Sequence, residues 1–95
     1  MTVKILIKRK VTDDTMTGLE FLLRKLRSLT INQPGYISGE SLIRLDEKNQ
    51  CLVISTWKTL DDWNRWYNSQ HRIELQTQID HLIGEPTHYE IYQHV

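Results

Sequence analysis

What this chain is short of narrows it early. A single cysteine, Cys51, in 95 residues excludes an internal disulfide and any metal site built from several thiolates. Cys51 sits in the apolar run Cys51-Leu52-Val53-Ile54 and so reads as a small buried hydrophobe rather than a nucleophile. Neither sign of charge is in excess, since 12 Lys and Arg balance 12 Asp and Glu. Proteins that grip nucleic acid through its phosphates are usually clearly basic, so no nucleic-acid partner is expected. The local run Lys4, Lys8, Arg9 and Lys10 reads as a solvated or edge-strand charge row. No apolar stretch approaches the roughly 18 residues of a membrane helix, and the N-terminus lacks the apolar core of a signal peptide. A cytoplasmic protein with no membrane partner is the expectation. A Gly-rich phosphate loop, a nucleophile elbow and a Cys/His dyad are missing too. Hydrophobic content is only 39%, and a domain this small buries roughly 60–65% of the surface of its unfolded chain. A single domain spanning 1–95 with a thin core is expected, and association with a second copy would supplement that core.

What is present is strong periodicity. Val3, Ile5, Ile7 and Arg9 alternate with Lys4, Leu6, Lys8 and Lys10, which makes the first segment a strand with Val3, Ile5 and Ile7 toward the core. Capping types at Thr12-Asp13-Asp14-Thr15, and a Thr17/Glu20 capping-box spacing, open a helix. Met16, Leu19, Leu22, Leu23, Leu26 and Leu29 form its inner stripe. Pro34-Gly35 stops it. Tyr36 to Leu45 reads as a second strand, Asp46-Glu47-Lys48-Asn49 as a hairpin loop, and Cys51 to Trp57 as a third strand. A short helix from about Leu60 to Tyr67 follows, with Thr59 as N-cap and Asp61 and Asp62 complementing its dipole. His71, Leu75, Ile79 and Leu82 lie at i, i+4, i+8 and i+11 and predict a further helix with a histidine at the head of its inward stripe. Gly84-Glu85-Pro86 ends it, and Thr87 to His94 alternates as a fourth strand.

The order β-α-β-β-α-β specifies an α+β fold, a split β-α-β ferredoxin-like sheet with its helices on one face. The opposite face is expected to carry Leu6, Leu42, Val53, Trp57 and Tyr92 among Lys4, Lys8, Glu40 and Arg44. That mixture is too apolar for a free surface and too charged for a private core, which points to a homodimer through the sheet face.

All three tryptophans, Trp57, Trp63 and Trp66, fall where the third strand hands over to the short helix. Trp57, at a strand end, reads as packing. Trp63 and Trp66 are three apart and share a helix face with Tyr67 beside them, so one of them is a candidate pocket wall. His71 is either a helix-start histidine bonded to backbone or a base suited to neutral pH. His88 and Glu90 alternate on one strand face, yet two ligands without a third make a poor metal site.

The turn Gln33-Pro34-Gly35-Tyr36, the segment Val53-Ile54-Ser55-Thr56-Trp57-Lys58-Thr59-Leu60-Asp61-Asp62-Trp63-Asn64-Arg65-Trp66, and His71 beyond it together resemble the antibiotic biosynthesis monooxygenase superfamily of dimeric α+β barrels. The resemblance covers nearly the whole chain. It implies oxygenation of a small electron-rich aromatic or quinol with no metal, flavin or other cofactor: the substrate, as phenolate or enolate, gives an electron to O₂. The protein supplies a dry pocket, a proton acceptor and donors for the developing oxyanion. On that reading His71 and Trp66 are the catalytic candidates, with Tyr67, Tyr36, Asn64 and Trp63 binding the substrate. The family also has a haem-degrading branch, with an asparagine on the first strand and a histidine about ten residues past the short-helix tryptophan. Trp66 fits, but Ile7 or Lys8 and Gln76 occupy the other two positions, leaving no axial imidazole there. The rival to an enzyme is a non-enzymatic dimeric module that binds a small hydrophobic ligand.

Overall fold

The computed structural model describes residues 1–95. Its elements are β1 (Val3–Lys10), α1 (Met16–Thr30), β2 (Tyr36–Ile43), β3 (Gln50–Trp57), α2 (Leu60–Tyr67), α3 (Gln70–Ile83) and β4 (His88–Gln93). The four strands form one antiparallel sheet in the order β2-β3-β1-β4. This is the ferredoxin-like α+β architecture anticipated from the element order. β2 ends at Ile43, two residues short of the expected Leu45. Beyond it Arg44 turns back on the hairpin loop, donating from Nε to Asp46 Oδ1 at 2.7 Å, while Asn49 takes a left-handed φ of 67°. No helix is long and apolar enough to cross a membrane.

Pairing register decides which side chains share a face, because residues opposite one another in a ladder point the same way. Val3 faces Trp57, Ile5 faces Ser55 and Ile7 faces Val53; on the other flank Ile5 faces Ile91 and Ile7 faces Tyr89. These residues line the helix side. Val53 and Trp57 therefore lie inside, correcting the expectation that they belong to the opposite face. β3 is apolar on both faces, so its own pattern does not reveal which side is inward; the ladder with β1 does. The outer face instead presents Leu6, Leu52, Ile54, Leu42 and Tyr92 with Lys4, Lys8, Glu40 and Glu90. The basic run divides as well. β1 is a central strand rather than an edge, Lys8 pairs with Glu90 at 3.0 Å, and Arg9 points inward and is only 4% exposed.

Two apolar clusters hold the helices down. Val3, Ile5, Ile7, Trp57, Trp63 and Trp66 join the sheet to α2. Val11, Leu19 and Ile79, with Leu82 and neighbouring α1 leucines against them, join α1 to α3. Between the clusters the interior remains open.

Candidate functional site

α2 is placed by its first turn. Thr59 Oγ1 accepts from the Asp62 amide at 3.1 Å and donates to Asp62 Oδ2 at 2.8 Å, a reciprocal cap that satisfies an otherwise orphaned amide. With Arg65 also donating to it at 3.1 Å, the Asp62 carboxyl is held below the usual carboxylate range, the Thr59 hydroxyl being the larger cause. Gly35, at φ 85°, runs so close to Asp62 that a Cβ there would overlap its carboxyl group. The Pro34-Gly35 turn thus sets the start of α2. The helix then carries Trp63 and Trp66 inward, 3% and 4% exposed.

The aromatics form a continuous wall. The Trp57 ring meets Tyr36 edge-on at 5.4 Å and Trp63 at 5.7 Å; Trp63 packs on Tyr89 at 6.0 Å. Trp57 is fully buried, and its indole N–H donates to Ser55 Oγ at 3.1 Å, so it is a packing residue with its polar edge satisfied. In front of this wall lies a cavity of about 620 Å³, open on one side and bordered by α1, the inner sheet face, α2 and α3. Trp63, Trp66, Tyr36 and Tyr89 give it aromatic sides, while Leu23, Leu26, Ile7 and Val53 give it aliphatic ones.

Its polar groups are cationic or neutral. Arg72 donates from Nη1 to the Tyr67 carbonyl at 3.1 Å and from Nη2 to the Tyr89 hydroxyl, with its guanidinium 4.4 Å from the Tyr67 ring centre. Arg9 donates from Nη2 to Gln76 Oε1 at 3.3 Å. Gln76 is fixed in turn, donating to Thr87 Oγ1 at 2.8 Å and to Asp80 Oδ1 at 2.7 Å. Arg27, at the rim, donates to Ser41 Oγ at 2.9 Å. Burial lowers the Arg9 pKa from its usual value and raises that of Tyr89 above the usual phenol range, against the opposing pull of Arg72 and Arg9. Burial also pushes the Cys51 thiol up, consistent with an unreactive packing group. Glu40 borders the cavity, but it pairs with Ile54 and so directs its side chain to the outer sheet face.

Of the residues singled out in the sequence, Trp66, Trp63 and Tyr36 border the cavity. Tyr67 lies just outside it, 40% exposed, meeting Tyr89 edge-on at 5.3 Å. Asn64 and His71 are exposed and absent from the lining. The inward stripe of α3 is Arg72, Gln76 and Ile79; Ile79 lies inward as the stripe headed by His71 predicts, but in the first turns Arg72 and Gln76 replace His71 and Leu75, one residue and about 100° around the helix. Apolar Leu75 and Leu82 suggest an inner face, yet they are half-buried, while the polar pair faces the cavity. Arg9, Arg72, Gln76 and Tyr89 were thus passed over as site residues. Arg9 did carry a signal, as the fourth inward position of an otherwise apolar alternation.

Comparison with known proteins now bears on this geometry. The profile of the antibiotic biosynthesis monooxygenase family matches residues 2–78. The chain belongs to that family. Solved structures agree on the fold of this family member. A conserved protein from Methanosarcina mazei superposes with a TM-score of 0.91 at 17% identity, covering 100% of this chain and 94% of its own. SnoaB, a cofactor-independent oxygenase from Streptomyces nogalater, superposes at 0.85 with 16% identity, covering 99% and 93%. Rv0793 from Mycobacterium tuberculosis superposes at 0.86 with 15% identity, covering 100% and 96%. No curated protein matches the sequence. Within this family member no histidine borders the cavity, and Gln76 stands in its wall.

Proposed function

We propose that this antibiotic biosynthesis monooxygenase relative oxygenates a small hydroxylated aromatic or quinol without a cofactor. The observation that carries the reading is the aromatic-walled cavity with two buried arginines, Arg9 and Arg72, that have no carboxylate partner. Its volume is in the range of pockets that hold small molecules. A phenol placed against the Tyr89 hydroxyl and Arg72 is acidified by the adjacent positive charge, which favours its anion. Its proton leaves to solvent through the mouth, since no histidine or carboxylate side chain faces the cavity. The phenolate passes one electron to O₂, and the resulting superoxide and phenoxyl radicals combine at a ring carbon as a peroxide. Protonation and cleavage of the O–O bond, with loss of the ring C–H proton, leave a C=O group and water. One oxygen atom of O₂ thus enters the quinone and the other the water. Trp63 and Trp66 give the ring an apolar wall and displace water on that side, which strengthens each of these interactions.

SnoaB, similar in fold, is a cofactor-independent oxygenase, which supports the same reading here. The outer sheet face, with Leu6, Leu52 and Ile54 among charges, is proposed to pack against a second copy of the chain. The lack of a base in the cavity favours one alternative, a dimeric module that binds an aromatic ligand without transforming it. A panel of quinols and anthrones under O₂, followed by quinone absorbance, separates the two. Turnover that falls in Arg72→Met and Trp66→Phe but persists in His71→Ala supports oxygenation in this cavity. Binding without turnover throughout the panel refutes it.

A further inference from the structure

Arg9 is the anomaly of the interior. Its side chain ends 4% exposed on the central strand, and its Nε–H has no hydrogen-bond partner at all. A buried donor left unpaired is destabilising, more so when the group is charged. No ion pair neutralises it. Its one bond goes to the neutral amide of Gln76, and Asp80, the carboxylate whose charge acts on it, has its Oδ1 committed to Gln76 and to the amide and hydroxyl of Thr87. Arg72, the second guanidinium on the cavity, is likewise bonded only to neutral oxygens, of Tyr67 and Tyr89. Both border the same space as Trp63 and Trp66.

We infer that this cavity binds an aromatic carboxylic acid, its carboxylate seated on Arg9 and its ring held against Trp63 and Trp66. The planar guanidinium presents parallel N–H groups that match the two oxygens of a carboxylate. An anion there supplies the negative charge that the two arginines lack and offers an acceptor to the unpaired Nε–H. Asp80 and Thr87 act through Gln76, holding its amide against Arg9 Nη2. On the oxygenase reading the substrate class becomes a hydroxylated aromatic acid, with its phenol toward Tyr89 and Arg72. The inference shares that cavity but does not depend on turnover.

The test is binding to the full chain at pH 7 by calorimetry, with 1-naphthoate, neutral 1-naphthamide and 1-naphthol as probes. A hydrogen-bonded charge partner is worth about 1.5–3 kcal/mol, or about 10- to 100-fold in affinity. Naphthoate is therefore expected to bind at least about tenfold tighter than either neutral probe. Arg9→Met is expected to abolish that preference while naphthamide affinity changes little. Equal affinity for the three probes, or a preference that survives Arg9→Met, overturns the inference. Should Arg9→Met fail to fold, the Arg9 Nε–H resonance of the unmodified protein decides. It shifts with naphthoate and not with naphthamide if the carboxylate sits there; a resonance that naphthoate leaves in place overturns the inference. Tight naphthoate binding with no oxygen uptake on any quinol or hydroxylated naphthoate would refute the oxygenase reading alone.

Discussion

Gly35→Ala isolates the contact that sets α2 and with it the aromatic wall. Gly35 has φ 85°, and a Cβ built on it falls within 2.5 Å of the Asp62 Cβ and closer still to the carboxyl. Gly84 has nearly the same φ, 84°, with nothing within 4 Å of its Cβ position. Placing an L side chain in the left-handed region costs about 1–2 kcal/mol in either case. At Gly35 the Asp62 carboxyl must also move, and because its Cβ is involved, a rotamer change does not relieve the overlap. Displacing Asp62 breaks its bonds to Thr59 and Arg65, and a lost N-cap costs about 1 kcal/mol. The total is about 2–4 kcal/mol at Gly35 against about 1–2 kcal/mol at Gly84. At about 4–8 °C per kcal/mol for a domain of this size, the two melting temperatures should separate by roughly 5–15 °C. Thermal unfolding followed by circular dichroism measures this, and Gly35→Ala should cost less in an Asp62→Gly background, where no side chain meets the added Cβ. Equal losses at the two glycines would refute the placement of the turn against α2.

Trp57→Ala should destabilise by about 3–5 kcal/mol, read by urea unfolding, because the ring is fully buried among Val3, Tyr36 and Trp63; a loss below about 1 kcal/mol would place the ring outside the core. Tyr89 gives stability a pH limb. Its pKa is raised in the fold, so the folded state holds a proton that the unfolded chain releases near pH ~10. Stability is then intact below that pH and falls as pH rises beyond it; in Tyr89→Phe the alkaline fall should shrink, as unfolding midpoints between neutral and alkaline pH would reveal. Light scattering at micromolar concentration should give a dimer, converted to monomer by Leu52→Asp on the outer sheet face, and a monomeric parent protein would remove that interface.

The fold was legible because its periodicities are strong. Alternation in β1, the leucine stripe of α1, the Pro34-Gly35 stop and the Thr59 cap each specify an element independently of distant contacts. Sidedness was legible only where one face is polar. β1 showed its inner face; β3, apolar on both, did not, and its orientation comes from hydrogen bonding to β1 across the sheet. The same limit applied to α3. Its hydrophobic residues suggested an inner stripe led by His71, but this helix brings polar groups to the cavity, so Arg72 and Gln76 turn inward. A ligand site reverses the usual sign of burial. Arg9 shows this most clearly: the alternation placed it inward, and its charge argued for solvent. Trp63 and Trp66 were legible as cavity candidates because large aromatics clustered at a strand-to-helix junction must pack somewhere central, whereas Tyr36, at the start of β2, entered only through the family resemblance.

Oxygen uptake with a hydroxylated naphthoate tests the cavity chemistry most directly, in a sealed cell with chelator present and no flavin added. The expected result is one O₂ consumed per quinone formed, with one ¹⁸O atom from ¹⁸O₂ in the product and uptake strongly reduced in Arg72→Met. No uptake above the buffer rate, or uptake equal in Arg72→Met and the parent protein, would contradict it.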